Sequence, residues 1–145
     1  SDSTRPFYPA ALKHLDIAAV GAVEEVPPVD GDLPHSNEIV RVPGQQDRYA
    51  RAWFSNHGDW VTCSAPGVDI VSTYQWGYYR PLDGGPLRSF NGGARWSGTS
   101  FAAPRVAGAV AARMQSDGLD NPHEAFARLI AEAPAGPPGL GKLIL

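Results

Sequence analysis

Residues 98–108 read Gly98-Thr99-Ser100-Phe101-Ala102-Ala103-Pro104-Arg105-Val106-Ala107-Gly108, and no other segment constrains the chain as strongly. A serine stands between small residues, where a Gly-rich loop gives way to an apolar run that is typical of a helix. Pro104 follows Ser100 by one turn. We interpret Pro104 as lying in the first turn of the helix. Its missing N–H costs no hydrogen bond there, because first-turn donors lack intrahelical acceptors. The stretch therefore predicts a helix over residues 101–116 with Ser100 at its N-terminus.

A serine in that position has a specific chemical environment. Free backbone N–H groups and the positive end of the helix dipole lie near its hydroxyl. The nucleophile of an acyl transfer needs such donors, because they hold the oxyanion of the tetrahedral intermediate. The alternative is a serine that only caps an ordinary helix. Ser100 is therefore the candidate catalytic residue.

The same stretch resembles the nucleophile motif of the subtilisin-like serine peptidases, G-T-S-x-A-x-P-x-x-A-G, at every fixed position. Two upstream segments resemble the same family and stand in the family's order. Phe54-Ser55-Asn56-His57-Gly58 with residues 61–73 is similar to F-S-N-x-G followed by A-P-G-x-x-I-x-S-T, and residues 8–23 are similar to the Y-P-A and V-I-A-V-G-A segments. The resemblance covers roughly residues 7–135, with residues 24–48 predicted to be an inserted surface loop.

The resemblance implies an α/β fold: the C-terminal half of a subtilisin-like parallel-sheet sandwich, with a β-ribbon before the nucleophile helix. In this family the chain order is Asp, then His, then Ser. The triad Asp and His and the oxyanion-hole Asn would thus lie upstream of Ser1. We therefore expect residues 1–145 to form a partial peptidase domain that carries Ser100 without the Asp/His half.

The activity implied by the resemblance is that of a serine endopeptidase, which cleaves peptide bonds through an acyl-enzyme with a Ser-His-Asp triad. Its partners would be a peptide or protein substrate and the missing N-terminal half of the domain, and the isolated chain would be inactive. Most relatives are secreted, so the resemblance also implies an extracellular location. Some relatives bind calcium near the segment matching residues 8–15 through carbonyl oxygens, whose geometry a sequence does not show, so no metal is assigned.

His57 needs separate consideration, because His57-Gly58-Asp59-Trp60-Val61 resembles the H-G-T-x-V motif of the family's catalytic histidine. In the family that histidine opens a helix, whereas His57 precedes a strand-like run and occupies the variable position of F-S-N-x-G. We therefore interpret His57 as an exposed loop histidine. His14, His35 and His123 have no motif context, and His123 falls in the first turn of a predicted helix.

Composition limits the function classes. A chain of 145 residues with 43% hydrophobic content suits one domain with a core. A formal net charge of −3 provides no basic patch for nucleic acid, and no apolar stretch approaches the roughly 20 residues of a membrane span. The single cysteine, Cys63, lies in an apolar run, so we expect a buried, inert thiol and neither a disulfide nor a metal site. No cofactor is indicated.

Secondary structure follows from the remaining patterns. Apolar runs predict buried strands at residues 17–23 and 60–65, and residues 68–76 and 87–91 are predicted to pair as a ribbon around residues 80–86. An aromatic group just before that turn either lines a substrate cleft or packs within the ribbon, and we favour packing; its members are Tyr74, Trp76, Tyr78 and Tyr79.

The C-terminal region predicts a second helix and a last strand. Asn121-Pro122-His123-Glu124 is typical of a capping box, and an apolar stripe follows it at helical spacing, formed by Phe126, Leu129, Ile130 and Ala133. Residues 143–145 predict a short final strand.

Three functional hypotheses remain open from the sequence. The chain is part of an active endopeptidase, or part of a pseudopeptidase that acts as a binding module, or an independent half-domain with a structural role. The intact Gly98-Thr99-Ser100 motif favours the first over the second. The third leaves a sheet edge unpaired, which parallel sheets disfavour.

Overall fold

The chain has a mixed α/β architecture in a computed structural model, which describes residues 2–12, 17–26, 39–42 and 48–145. Two helices pack together, one of them against a five-stranded sheet, and a two-stranded ribbon forms a separate sheet. The elements in chain order are β1 Val20–Val26, β2 Ile39–Arg41, β3 Arg48–Arg51, β4 Cys63–Pro66, β5 Ile70–Tyr79, β6 Arg88–Trp96, α1 Thr99–Asp117, α2 Pro122–Glu132 and β7 Lys142–Leu143.

The five-stranded sheet has the order β2-β3-β1-β4-β7 and is mixed. Its β1, β4 and β7 are parallel, with Val20 opposite Cys63 and Ser64 opposite Leu143. By contrast, β2 and β3 run antiparallel to their neighbours and extend the sheet beyond β1. The α/β class and the parallel centre are as predicted, and the antiparallel side was not foreseen.

That antiparallel side corrects the prediction of a surface loop over residues 24–48. Within this range, β1 continues to Val26, β2 lies at residues 39–41, and β3 begins at Arg48. Val26 and Val42 are buried. The prolines and charges of this segment are typical of a surface loop and led to that prediction. A three-residue strand such as β2 is too short to show an alternating apolar pattern, and it is defined by the strand that pairs with it. The rest of the predicted loop lies outside the described residues.

The two helices are close to their predicted positions. In α2, Asn121 caps the helix, since its Oδ1 accepts a hydrogen bond from the His123 N–H at 2.9 Å. Glu124 does not complete the capping box; its carboxylate accepts a hydrogen bond from Arg128 at 2.7 Å. The predicted final strand is β7, one residue earlier than expected.

Pro104 does not lie where the sequence interpretation placed it. Because α1 begins at Thr99, Pro104 is the sixth residue of the helix, beyond the first turn. The N–H that proline lacks is the one that would have bonded to the Ser100 carbonyl four residues earlier. The expectation that this proline costs nothing was therefore wrong, and the Ser100 carbonyl oxygen loses its usual intrahelical donor.

The helices are held to each other by a network of ion pairs. Arg113 on α1 binds Asp117 through Nε at 2.8 Å and Glu132 on α2 through both terminal nitrogens. Arg128 on α2 returns a bond to Asp117 at 2.9 Å. The Arg113 guanidinium lowers the pKa of the Glu132 carboxyl, and a hydrogen bond from the Ser116 hydroxyl, followed by those from the two arginines, lowers the pKa of Asp117.

The four aromatic residues at the end of β5 lie in two different environments. Tyr74 and Tyr79 pack inside the ribbon, where the Tyr74 ring centroid lies 4.7 Å from that of Phe90 and both tyrosines lie 6.4 Å from Trp96. Trp76 and Tyr78 are exposed. The packing interpretation thus holds for two of the four residues.

Gly141 permits β7 to approach β4. Its φ is +62°, and a Cβ there would lie 2.2 Å from the Thr62 carbonyl oxygen. We expect Gly141→Ala to lower the free energy of unfolding by about 2 kcal/mol or more beyond the roughly 1–2 kcal/mol cost of a left-handed alanine, because backbone atoms must move. Gly84→Ala is the matched control, since Gly84 has a φ of +79° and nothing within 4 Å. Urea unfolding of both variants measures the difference, and equal losses would contradict the steric argument.

The Cys63 thiol is buried, and burial raises its pKa from 9.0 to about 11. In the unfolded chain the thiol ionises near its ordinary pKa, so the unfolded state loses its proton first as the pH rises. The stability contributed by Cys63 is therefore complete below pH 9 and lost between about pH 9 and 11, up to about 3 kcal/mol.

Urea unfolding of the wild-type chain and Cys63→Ala across this pH range isolates that contribution, because other ionisations are common to both. We also expect the native thiol to resist a disulfide reagent at pH 8 and to react once unfolded. A rapid reaction of the native protein would show that the thiol is accessible.

Candidate active site

Ser100 is the second residue of α1, and its side chain is exposed. The helix begins at the carboxyl end of β4, where the Gly98 N–H donates a hydrogen bond to the Gly67 carbonyl oxygen at 2.8 Å. Ala102 and Val106 on the buried face of α1 belong to the same core cluster as Ala22 and Ala65 of the sheet. The strand end and the helix face together determine where the Ser100 hydroxyl lies.

Gly67 allows this junction to be as close as it is. A Cβ on Gly67 would lie 2.9 Å from the Ala22 Cβ, 2.9 Å from the Gly98 carbonyl oxygen and 3.3 Å from the Ala102 Cβ. The approach of β1, β4 and the start of α1 therefore depends on small residues on all three elements. The Ala-Pro-Gly signal at residues 65–67 thus has a packing role beside the serine.

Two backbone donors at the start of α1 remain available. The N–H groups of Gly98 and Phe101 are bonded, to the carbonyl oxygens of Gly67 and Gly98 respectively. Within the described part of the chain, the N–H groups of Thr99 and Ser100 have no acceptor, and no side chain caps the helix. The Ser100 Oγ forms no hydrogen bond with a described residue. The site therefore offers an exposed hydroxyl and helix N-terminal donors that suit an anion.

His57 lies at the other end of β4. Val61, which leads into this strand, donates its N–H to the Gly58 carbonyl oxygen at 3.0 Å, whereas Ser100 follows the strand's carboxyl end. The residues from Val61 to Gly67 span roughly 20 Å when extended. This separation supports the interpretation that His57 is not the base of Ser100.

The environment of His57 differs from the exposed loop that the sequence predicted. Its side chain is half-buried, and the side-chain Nδ1 lies 3.6 Å from an Asp2 carboxylate oxygen. The backbone N–H of His57 donates a hydrogen bond to the Ser3 carbonyl oxygen at 3.0 Å. Asp2 also forms an ion pair with Arg51. The N-terminal segment folds back over the histidine, which the local sequence around His57 does not indicate. His123 is exposed near the start of α2, and His14 and His35 lie outside the described residues.

No group of three His, Cys, Asp or Glu side chains that would suit a metal ion occurs among the described residues. None of the described helices is long and apolar enough to cross a membrane.

An apolar groove with a volume of about 910 Å³ runs along α1. One wall is a face of α1 that adjoins the buried one and shares Val106 with it, and the other walls come from the start of β1, the start of β4 and α2. Representative lining residues are Ile17, Val20, Val61, Val110, Met114 and Phe126. Sequence reasoning missed this groove, although α1 carried the signal: its apolar residues surround the helix, which is typical of a helix covered on all sides.

The groove ends at a sheet edge. On the side away from β4, β1 pairs with β3 from Val23 to Val26, and Ala22 is bonded to Ala52 and Ser55. No described strand pairs with that edge at Val20. Apolar side chains and an available strand edge are therefore adjacent.

Comparison with known proteins is consistent with this arrangement of strand, loop and serine-bearing helix. A family model described as the subtilase family, Peptidase S8, matches residues 2–142. The chain belongs to the subtilase family.

Individual relatives agree with the family assignment. A thermophilic serine proteinase of Bacillus sp. (strain AK1) is 45% identical over 89 residues, which is 61% of this chain and 18% of that protein. A subtilisin-like protease of Coccidioides posadasii is 38% identical over 117 residues, 77% of this chain and 25% of that protein. An extracellular protease of Xanthomonas campestris is 34% identical over 102 residues, 70% of this chain and 16% of that protein. The aligned part of the chain thus spans a quarter or less of these relatives.

The junction at Gly67 provides a test of how Ser100 is positioned. We expect Gly67→Ala to lower the free energy of unfolding by about 1–3 kcal/mol, because the added methyl group overpacks three contacting elements. The amide resonances of Thr99 and Ser100 should shift as the start of α1 moves. Urea unfolding and NMR spectra measure the two effects.

Gly108→Ala is the control, because Gly108 lies in the same helix with nothing within 4 Å. This variant should stabilise the helix by up to about 1 kcal/mol through its higher helix propensity. Unchanged resonances of Thr99 and Ser100 in Gly67→Ala would show that the contact does not position the serine.

Proposed function

We propose that this chain carries the nucleophile of a serine endopeptidase, with Ser100 as the catalytic residue. The observation that supports this most directly is the exposed Ser100 hydroxyl beside two backbone N–H groups without acceptors at the start of α1. The membership of the subtilase family agrees with this chemistry. A serine that merely capped the helix would accept a hydrogen bond from the first turn, whereas Ser100 Oγ forms none with the described residues.

In the proposed reaction the Ser100 Oγ attacks the carbonyl carbon of the scissile peptide bond while a general base accepts the hydroxyl proton. The Ser100 N–H donates a hydrogen bond to the oxyanion that forms. The proton passes to the departing amine, which leaves an acyl ester on Ser100. Water then attacks that ester, the base again accepts a proton, and the ester oxygen recovers it as the acid product departs.

The general base is the part of this mechanism that the described residues do not provide. A serine hydroxyl is a weak nucleophile without a neighbouring base, and His57 lies at the far end of β4. We propose that a segment outside these 145 residues contributes the Asp and His of the triad and the oxyanion-hole Asn. On this proposal the 145-residue chain alone has no peptidase activity.

The apolar groove and the β1 edge are the surface on which that segment would dock. A strand laid parallel to β1 at Val20 would pair the available edge, and apolar side chains behind it would cover the α1 face at Val110 and Met114. This contact would place the added groups near the carboxyl ends of the parallel strands, where Ser100 lies. We also propose that the protein is secreted, as the name of the Xanthomonas campestris relative states for that protein.

The alternative is a pseudopeptidase fragment that binds a partner without catalysis. The groove favours it, because an exposed apolar surface of this size suits a protein partner whatever the chemistry at Ser100. The two functions differ in the reactivity of Ser100 once the docking segment is present.

A fluorophosphonate probe measures that reactivity. We expect no labelling of the isolated chain, because no base activates the hydroxyl, and labelling at Ser100 when the upstream segment of the protein is added. Labelling should be abolished in Ser100→Ala, because the probe forms its covalent bond with the serine Oγ that alanine lacks.

Ser116→Ala serves as the matched control, because Ser116 is an exposed serine at the other end of the same helix. Labelling that persists in Ser100→Ala would assign the nucleophile to another residue. Complex formation without labelling would favour the binding module, and labelling of the isolated chain would place the base within these 145 residues.

A further inference from the structure

The β5–β6 ribbon is structurally separate from the rest of the molecule. Its strands pair with each other from Ile70 opposite Trp96 to Tyr79 opposite Arg88, and the other described elements make only marginal contact with it. Two-stranded ribbons are marginally stable on their own in water. This one carries an aromatic cluster, in which the rings of Tyr74, Tyr79, Phe90 and Trp96 contact one another.

Three large apolar side chains of β5 are not part of that cluster. Val71, Trp76 and Tyr78 are 66%, 78% and 76% exposed. Trp76 and Tyr78 are two residues apart on one strand and therefore face the same side. Their cross-strand partners are Asn91 and Ser89, which are too short to cover the rings. The Trp76 ring lies beside Gly92, where a Cβ would be 3.0 Å from its Nε1 and where a φ of +94° favours glycine.

The charge of the ribbon is opposite to that of the whole chain. Between residues 70 and 96 there are three arginines and one aspartate, whereas the chain has a net charge of −3. Arg80 follows directly after β5 and is two residues from Tyr78, whereas Arg88 lies opposite Tyr79 and therefore on the other face of the ribbon. No described carboxylate forms an ion pair with Arg80 or Arg88. The exposed rings are therefore accompanied by positive charge that the described residues do not neutralise.

The base of the ribbon is attached to the candidate nucleophile. Trp96 ends β6 four residues before Ser100, the Asp69 N–H donates a hydrogen bond to Ser97 Oγ at 2.9 Å, and Gly98 is bonded to Gly67. An extended polypeptide advances about 3.3 Å per residue. A substrate whose scissile carbonyl is at Ser100 can therefore reach Trp76 and Tyr78 with residues several positions away from the scissile bond.

We infer that Val71, Trp76 and Tyr78, with Arg80, form a remote binding surface for polypeptide substrates that carry an acidic segment with aromatic residues. This inference rests on the proposed function, since it assigns the substrate of that site. Ring-on-ring contacts supply affinity, and the Arg80 guanidinium selects acidic segments over basic ones. The surface raises kcat/KM for long substrates above that for short substrates with the same cleavage sequence.

Three fluorogenic peptides with one common cleavage sequence test this in the complete protein. One is short, one is extended on both sides by alternating glutamate and phenylalanine, and one by alternating lysine and serine. We expect kcat/KM for the acidic aromatic peptide to exceed that of the other two by roughly tenfold. In the double variant Trp76→Ala/Tyr78→Ala, the kcat/KM for the acidic aromatic peptide divided by that for the short peptide should fall to about 1. Arg80→Gln should reduce the discrimination against the lysine peptide.

Leu82→Ala is the matched control, because Leu82 is a fully exposed apolar residue in the turn of the same ribbon and is not part of the surface. Its ratio should equal that of the wild type. Cleavage of all three peptides with a ratio near 1 in the wild type, or a ratio unchanged by Trp76→Ala/Tyr78→Ala, would overturn the inference and leave the peptidase proposal intact. Absence of cleavage of the short peptide would instead overturn the proposed function, and the substrate assignment with it.

Discussion

Backbone contact between the end of β4 and the start of α1 organises this molecule. At Gly67 the strand, the helix and β1 approach so closely that a single methyl group would meet Ala22, Gly98 and Ala102 at once. Because those neighbours are themselves alanines and a glycine, the core on this side is built from small residues in close contact. The position of Ser100 is a consequence of this packing, since the serine lies two residues beyond Gly98 at the junction.

The same helix explains why the molecule has an uncovered apolar surface. One side of α1 packs on the sheet through Ala102 and Val106, and an adjoining side lines a groove with Val110 and Met114. Helices that are apolar around most of their surface are typically covered on more than one side. The proposed docking segment would cover the groove, pair the edge of β1 and supply a base to Ser100 in one event.

The ribbon carries two sets of aromatic side chains with different environments. Tyr74, Tyr79, Phe90 and Trp96 contact one another, whereas the rings of Trp76 and Tyr78 are exposed. The ribbon is joined to the serine-bearing helix through Ser97 and Gly98. On the proposed function, a surface at this distance would influence which substrates bind without altering the groups around Ser100.

The sequence by itself determined the serine-bearing helix, the two parallel strands, the ribbon and the family. Each of these depends on residues that are close together in the chain: the Gly98–Gly108 motif, the apolar runs and the Asn121-Pro122 cap. Tertiary structure alone decided the antiparallel side of the sheet, the position of Pro104 relative to the first turn and the partners of His57. A three-residue strand such as β2 exists because β3 pairs with it, and the environment of His57 depends on Asp2, which is 55 residues away in the chain. Contacts of that kind depend on where distant segments meet, and no local pattern of residues contains that information.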